Sequence, residues 1–104
     1  MASAKTVLDT LRPQAETTLD GLLRQPYDVL LTLPPVNEVM IPDVSRKASL
    51  TTYRDILPDG RLQVVVQLVV RGMLGSARIW ARGFSIRRGG TPVHATDEQL
   101  YEFF

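Results

Sequence analysis

The chain has no cysteine, a single histidine, a single tryptophan and only two lysines. Without cysteine there are no disulfides, no thiolate metal ligands and no thiol nucleophile. Any serine-type triad would have to use His94, and no nucleophile elbow accompanies it. A metal site would need His94 with Asp97 or Glu98, which matches no recognised ligand spacing. No apolar run approaches the ~20 residues of a membrane-spanning helix. The first segment offers only Lys5 before Asp9, Glu16 and Asp20, which is neither a secretory signal nor an acid-poor transit peptide. The expected location is therefore the cytoplasm. Walker-type phosphate loops and dinucleotide fingerprints are also missing, so no cofactor is expected and the enzyme reading is disfavoured.

What is present is an ordinary balance of apolar and charged residues over 104 positions, enough for one domain (1–104) with a modest core. The net charge of +1 conceals a block pattern. Residues 1–45 carry three cations against six anions, residues 46–96 nine against two, and the last eight residues three anions. A basic middle between acidic ends suits either an anionic partner or internal neutralisation.

Leu8, Leu11, Ala15, Leu19 and Leu22 recur at helical spacing, but Pro13 interrupts them. An interior proline costs about 3 kcal/mol, so the expected helix starts at Pro13 and residues 1–12 form an arm, flexible or swapped. Residues 27–33 are too short an apolar run to assign to strand or helix. Pro34, Pro35 and Pro42 mark 34–45 as a linker.

A β-meander is expected over 46–88. Pro58-Asp59-Gly60 reads as a three-residue hairpin loop, with proline opening a type I turn and glycine in the left-handed position. Leu57 then faces Arg61, and pairs such as Ile56–Leu62, Arg54–Val64 and Leu50–Leu68 share an apolar face. Gly72–Gly75 reads as the next turn. Pairing Arg71 with Ser76 places Val70–Ala77 and Leu68–Ile79 on the core face, with Gln67–Trp80 and Gln63–Phe84 opposite. An odd-length loop would instead turn Trp80 and Phe84 into the core. Thr96-Asp97-Glu98-Gln99 is a capping box that opens a C-terminal helix over 97–104.

The expected fold class is thus α+β: an antiparallel three- to four-stranded meander with an N-terminal helix and a short C-terminal helix on one face. On the other face stand Tyr53, Arg61, Gln67, Arg78, Trp80, Arg82 and Phe84, an arginine–aromatic surface too apolar to leave wet. The function expected from it is a non-catalytic interaction module, homodimeric through that face. Nucleic acid or another polyanion stacked on the same rings is the alternative. A third reading is a small-ligand binder or enzyme with a pocket between the curved sheet and the helices, with Arg54 on the apolar face as its marker.

Overall fold

The computed structural model describes residues 2–42 and 44–104. Met1 of the expected arm and Asp43 of the expected linker lie outside the described residues. Helix α1 (Ala4–Leu23) and a short helix α2 (Tyr27–Leu31) precede strands β1 (Val36–Met40), β2 (Ala48–Ile56), β3 (Leu62–Arg71), β4 (Ala77–Ile86) and β5 (Val93–His94), and a 3-10 turn closes the chain at Tyr101–Phe103. The five strands form one antiparallel meander in chain order, β1-β2-β3-β4-β5. The fold is α+β. No helix among the described residues is long and apolar enough to cross a membrane.

The helix runs straight through Pro13, so residues 4–12 are its first half and not an arm. Val7, Leu11, Ala15 and Leu19 are buried along one stripe. Burying Val7 and Leu11 contributes about 1.5–3 kcal/mol each. That matches or exceeds the roughly 3 kcal/mol an interior proline costs, and packing decides the outcome. The Ser3 hydroxyl oxygen accepts from the Thr6 N–H at 3.2 Å and caps the start.

Residues 27–31 are helical because Pro26 serves as the helix cap. Its carbonyl accepts from the Val29 and Leu30 N–H groups, and Leu30 is fully buried. The expected linker contains a strand, since Val36–Met40 pairs with β2 from Val36↔Tyr53 to Met40↔Ser49.

The β2–β3 register agrees with expectation along its length, from Ile56↔Leu62 to Ala48↔Val70. Gly60 holds φ +86°, and Leu57 N–H donates to the Arg61 carbonyl at 2.8 Å across the closed loop. The β3–β4 register is shifted by one from the expected pairing. Arg71 pairs with Ala77 and Leu68 with Trp80, because Gly72 N–H donates to the Ser76 carbonyl and leaves a three-residue turn inside that pair. Leu74 (φ +56°) and Gly75 (φ +79°) both sit in the left-handed region to close it.

One sheet face therefore packs on α1 through Leu62, Val64, Val66, Leu68, Val70, Trp80, Phe84 and Ile86. On the opposite face a smaller cluster of Val65, Ala81 and Leu100 gathers Tyr53, Ala95 and Phe103. The two helical segments thus lie on opposite faces, which corrects the single-face expectation. The capping box forms as read, with Thr96 and Gln99 exchanging side-chain and backbone bonds at 2.9 and 3.2 Å, but it opens a turn and the short 3-10 segment in place of an α-helix. With one long helix on an open sheet, the molecule measures 47 × 24 × 19 Å. Its radius of gyration is 14.4 Å, above the roughly 13 Å of a rounded domain this size.

Candidate interaction edge

The seven residues expected on one face are divided between two. Tyr53, Arg61 and Gln67 lie on the face away from α1. Arg78, Trp80, Arg82 and Phe84 lie on the helix face, because they alternate in phase with the core pairs Leu68↔Trp80 and Val64↔Phe84. Trp80 is 7% exposed and Phe84 0%, so neither ring is a surface platform. Arg82 is exposed above the tryptophan, its guanidinium carbon 5.6 Å from the ring centroid, and its Nη1 donates to the Ala81 carbonyl at 2.7 Å. Arg78 is exposed at the far end of the same strand. The odd-length turn at Gly72–Ser76 assigns these positions, and the physical basis for stacking nucleic-acid bases on Trp80 and Phe84 is gone with it.

Tyr53, Arg61 and Gln67 have local partners. The Tyr53 hydroxyl donates to Gln67 Oε1 at 3.0 Å, Gln67 Nε2 donates to the Phe103 carbonyl, and the Tyr53 and Phe103 rings lie 5.1 Å apart. This set latches the C-terminal segment over Val65 and Ala81. Arg61 Nε donates to Asp59 at 2.7 Å, and its Nη1 contacts the Ser85 hydroxyl at 3.3 Å. Arg54 is half-buried and gives Nε and Nη2 to the Leu33 carbonyl at 3.1 and 2.9 Å. It secures the end of the α2 segment to β2, with a main-chain carbonyl as the acceptor of its guanidinium.

A groove of about 380 Å³ runs between α1 and the β4–β5 edge. It collects Arg12, Glu16 and Asp20 from the helix, Trp80 and Arg82 from β4, and His94 from β5. Arg12 donates to Asp9, which holds that carboxyl below the ordinary carboxylate range. No group of three His, Asp or Glu side chains among the described residues is placed to hold a metal ion. The groove is a charged, mixed-sign surface with a buried indole as its floor.

The outer edge of β1 has no partner strand among the described residues. Ile41 N–H donates to the Ala48 carbonyl, and Arg54 N–H donates to the Pro35 carbonyl. Main-chain groups alternate in direction along a strand, so the odd-numbered residues of β1 bond to β2. The N–H and C=O groups of Val36, Glu38 and Met40 therefore point away from the sheet. All five β1 residues are exposed, with Val36, Val39 and Met40 at 57, 53 and 50%. Pro34 and Pro35 precede this edge and Pro42 follows it. Proline cannot donate to a ladder, so further pairing along this edge is confined to a short window.

On the face away from α1, the edge adjoins a groove of about 210 Å³ lined by Glu38, Met40, Lys47, Ser49, Val69 and Arg71. Lys47, just before β2, and Arg71, at the end of β3, are opposite one another, since Arg71 N–H donates to the Lys47 carbonyl at 2.8 Å. Like charges so placed are mutually destabilising. Neither makes an ion pair among the described residues. Sequence reasoning missed this edge because its prolines read as a linker. The available signal was the placing of prolines just outside Val36–Met40, which is where proline sits in edge strands.

No protein-family model, curated protein or solved structure matches this chain, so its own geometry carries the functional reading.

Proposed function

We propose that this chain is a non-catalytic interaction module that accepts a partner strand along the free edge of β1. The observation that carries the reading is the row of outward-facing main-chain groups at Val36, Glu38 and Met40, in a strand whose five side chains are all exposed. An unprotected edge is a template for another strand, and strand addition is a common recognition mode. Edges that avoid pairing are blunted by prolines and short strands, by lysine, by inward-pointing charge or by an overlying loop. On β1 the flanking prolines narrow the pairing window without closing it. Here β1 offers one charge, Glu38, among three exposed apolar residues. The interaction role expected from the sequence is kept, while its surface moves from the arginine–aromatic face to this edge. The cytoplasmic location belongs to the same reading.

The test is NMR of the ¹⁵N-labelled full chain, titrated with end-capped peptides of alternating valine and threonine. The expected result is slowed amide exchange at Val36, Glu38 and Met40, with shift changes confined to β1 and β2. Glu38→Pro removes an outward N–H without touching the β1–β2 bonds, and it is expected to abolish the effect. Exchange at those three amides that stays unprotected at saturating peptide overturns the reading.

A further inference from the structure

We infer that the strand taken by β1 is β1 of a second copy, antiparallel, with the two-fold axis passing beside Val39. This rests on the strand-addition reading above and names the partner. A two-fold axis perpendicular to the sheet keeps both α1 helices on one side and makes the interface self-complementary. Residues directly opposite must then share a face, which leaves few registers.

Centring on Glu38 sets two glutamates against each other at the axis, a like-charge pair. A centre on Asn37 sets Glu38 against Val36 of the other copy, beside its Tyr53 and far from its Lys47. With Val39 at the centre, Glu38 lies opposite Met40 of the other copy, twice by symmetry. Those are the residues whose main-chain groups point outward, so each pair exchanges two hydrogen bonds. Val39 meets Val39 in the non-hydrogen-bonded position, where Cα atoms approach to roughly 4.5 Å and β-branched side chains pack well.

The charges agree with this register. Glu38 lies two strands across and one same-face residue along from Lys47 of the other copy, roughly 12 Å between Cα atoms, which a glutamate and a lysine side chain can bridge. The Lys47–Arg71 pair thereby gains a carboxylate from the other copy, and Glu38 gains a cation. The isologous interface uses the β1 edge of each copy, so the assembly closes at two copies, and prolines on either side stop the paired segment from lengthening. The interface is short, below the ~1,200 Å² of standard complexes, and a dissociation constant in roughly the micromolar range is expected.

Sedimentation equilibrium of the full chain from micromolar to millimolar concentration tests the dimer. A monomer–dimer equilibrium is expected. Glu38→Lys should weaken it roughly ten- to thirtyfold, and Glu38→Lys combined with Lys47→Glu and Arg71→Glu should recover most of that loss. The register is read from single-cysteine variants, since the chain has no cysteine of its own. Val39→Cys should oxidise to a covalent dimer at least roughly tenfold faster than Asn37→Cys or Glu38→Cys. Fastest cross-linking of either of those two overturns the Val39 register. A chain that stays monomeric at millimolar concentration yet takes up the peptides overturns self-pairing and leaves strand addition standing. Absence of both overturns both, and a dimer indifferent to Glu38→Lys and Glu38→Pro places self-association on another surface and overturns the inference.

Discussion

A β-carbon on Gly83 would stand 2.5 Å from the Val64 carbonyl oxygen and 3.2 Å from Val65 Cα. Both obstacles are main chain, so neither can swing aside as a side chain would. Gly83 is needed here for space; its φ is not in the left-handed region. The close approach brings β4 against β3 where the C-terminal segment crosses, and the Gly83 carbonyl accepts from Ala95 N–H at 2.8 Å.

Gly83→Ala is expected to destabilise the fold by about 2–3 kcal/mol, the upper part of the range for overpacking. For a domain of this size that lowers Tm by roughly 10 °C. Urea denaturation with an unchanged m value checks it. A loss under ~0.5 kcal/mol would show that the strands part more easily than the geometry implies.

How far the sequence could be read depends on which residue sets each register. Pro58-Asp59-Gly60 leaves one economical loop, so β2–β3 follows from it residue by residue. The β3–β4 turn depends on Leu74 at φ +56°, a conformation leucine rarely adopts and no pattern announces. β4 itself gives no correction, because Trp80, Phe84 and Ile86 on one side and Ile79 and Ala81 on the other are both plausible core faces. Pro13 misleads in another way, since local propensity argues for a break and burial of Val7 and Leu11 overrides it. The β1 edge stayed hidden because prolines that bracket an edge strand also mark a linker.

Trp80 packs against Leu68 and α1 within one chain. Its fluorescence is therefore expected to be blue-shifted and independent of protein concentration, even where self-association changes. Trp80→Ala should cost about 3–5 kcal/mol. Emission that shifts on dilution would place the indole at a contact between copies instead.

Leu100 is buried against Val65 and Ala81, and the Tyr53–Gln67–Phe103 chain of contacts holds the segment in place. Leu100→Ala should cost about 2–4 kcal/mol, and Gln67→Ala about 1 kcal/mol, the worth of a typical hydrogen bond. Hydrogen exchange locates the effect. In Leu100→Ala, the Ala95 and Phe103 amides should open before those of β3, because the C-terminal latch loosens ahead of the α1 core. Equal loss of protection on both faces would mean that the two clusters unfold as one unit.

Asp59 closes the β2–β3 loop. The Arg61 N–H donates to its Oδ1 at 3.1 Å, the Arg61 guanidinium donates to Oδ2, and Arg87 approaches at 3.3 Å. The Arg61 backbone bond, with the two guanidinium groups adding to it, holds the carboxyl below its ordinary value of 3.8. A depressed folded-state pKa means that the unfolded chain binds the proton more readily. The stabilisation is thus fully present above about pH 4 and is lost as pH falls through the lower folded-state value. The carboxylate is exposed, so the effect is small and screened by salt. Asp59→Asn keeps an acceptor for the Arg61 N–H but cannot ionise. The stability difference between the native chain and this variant should be constant from pH 8 to 5 and shrink below pH 4. A difference that persists at pH 2 would assign the residue's role to turn geometry alone.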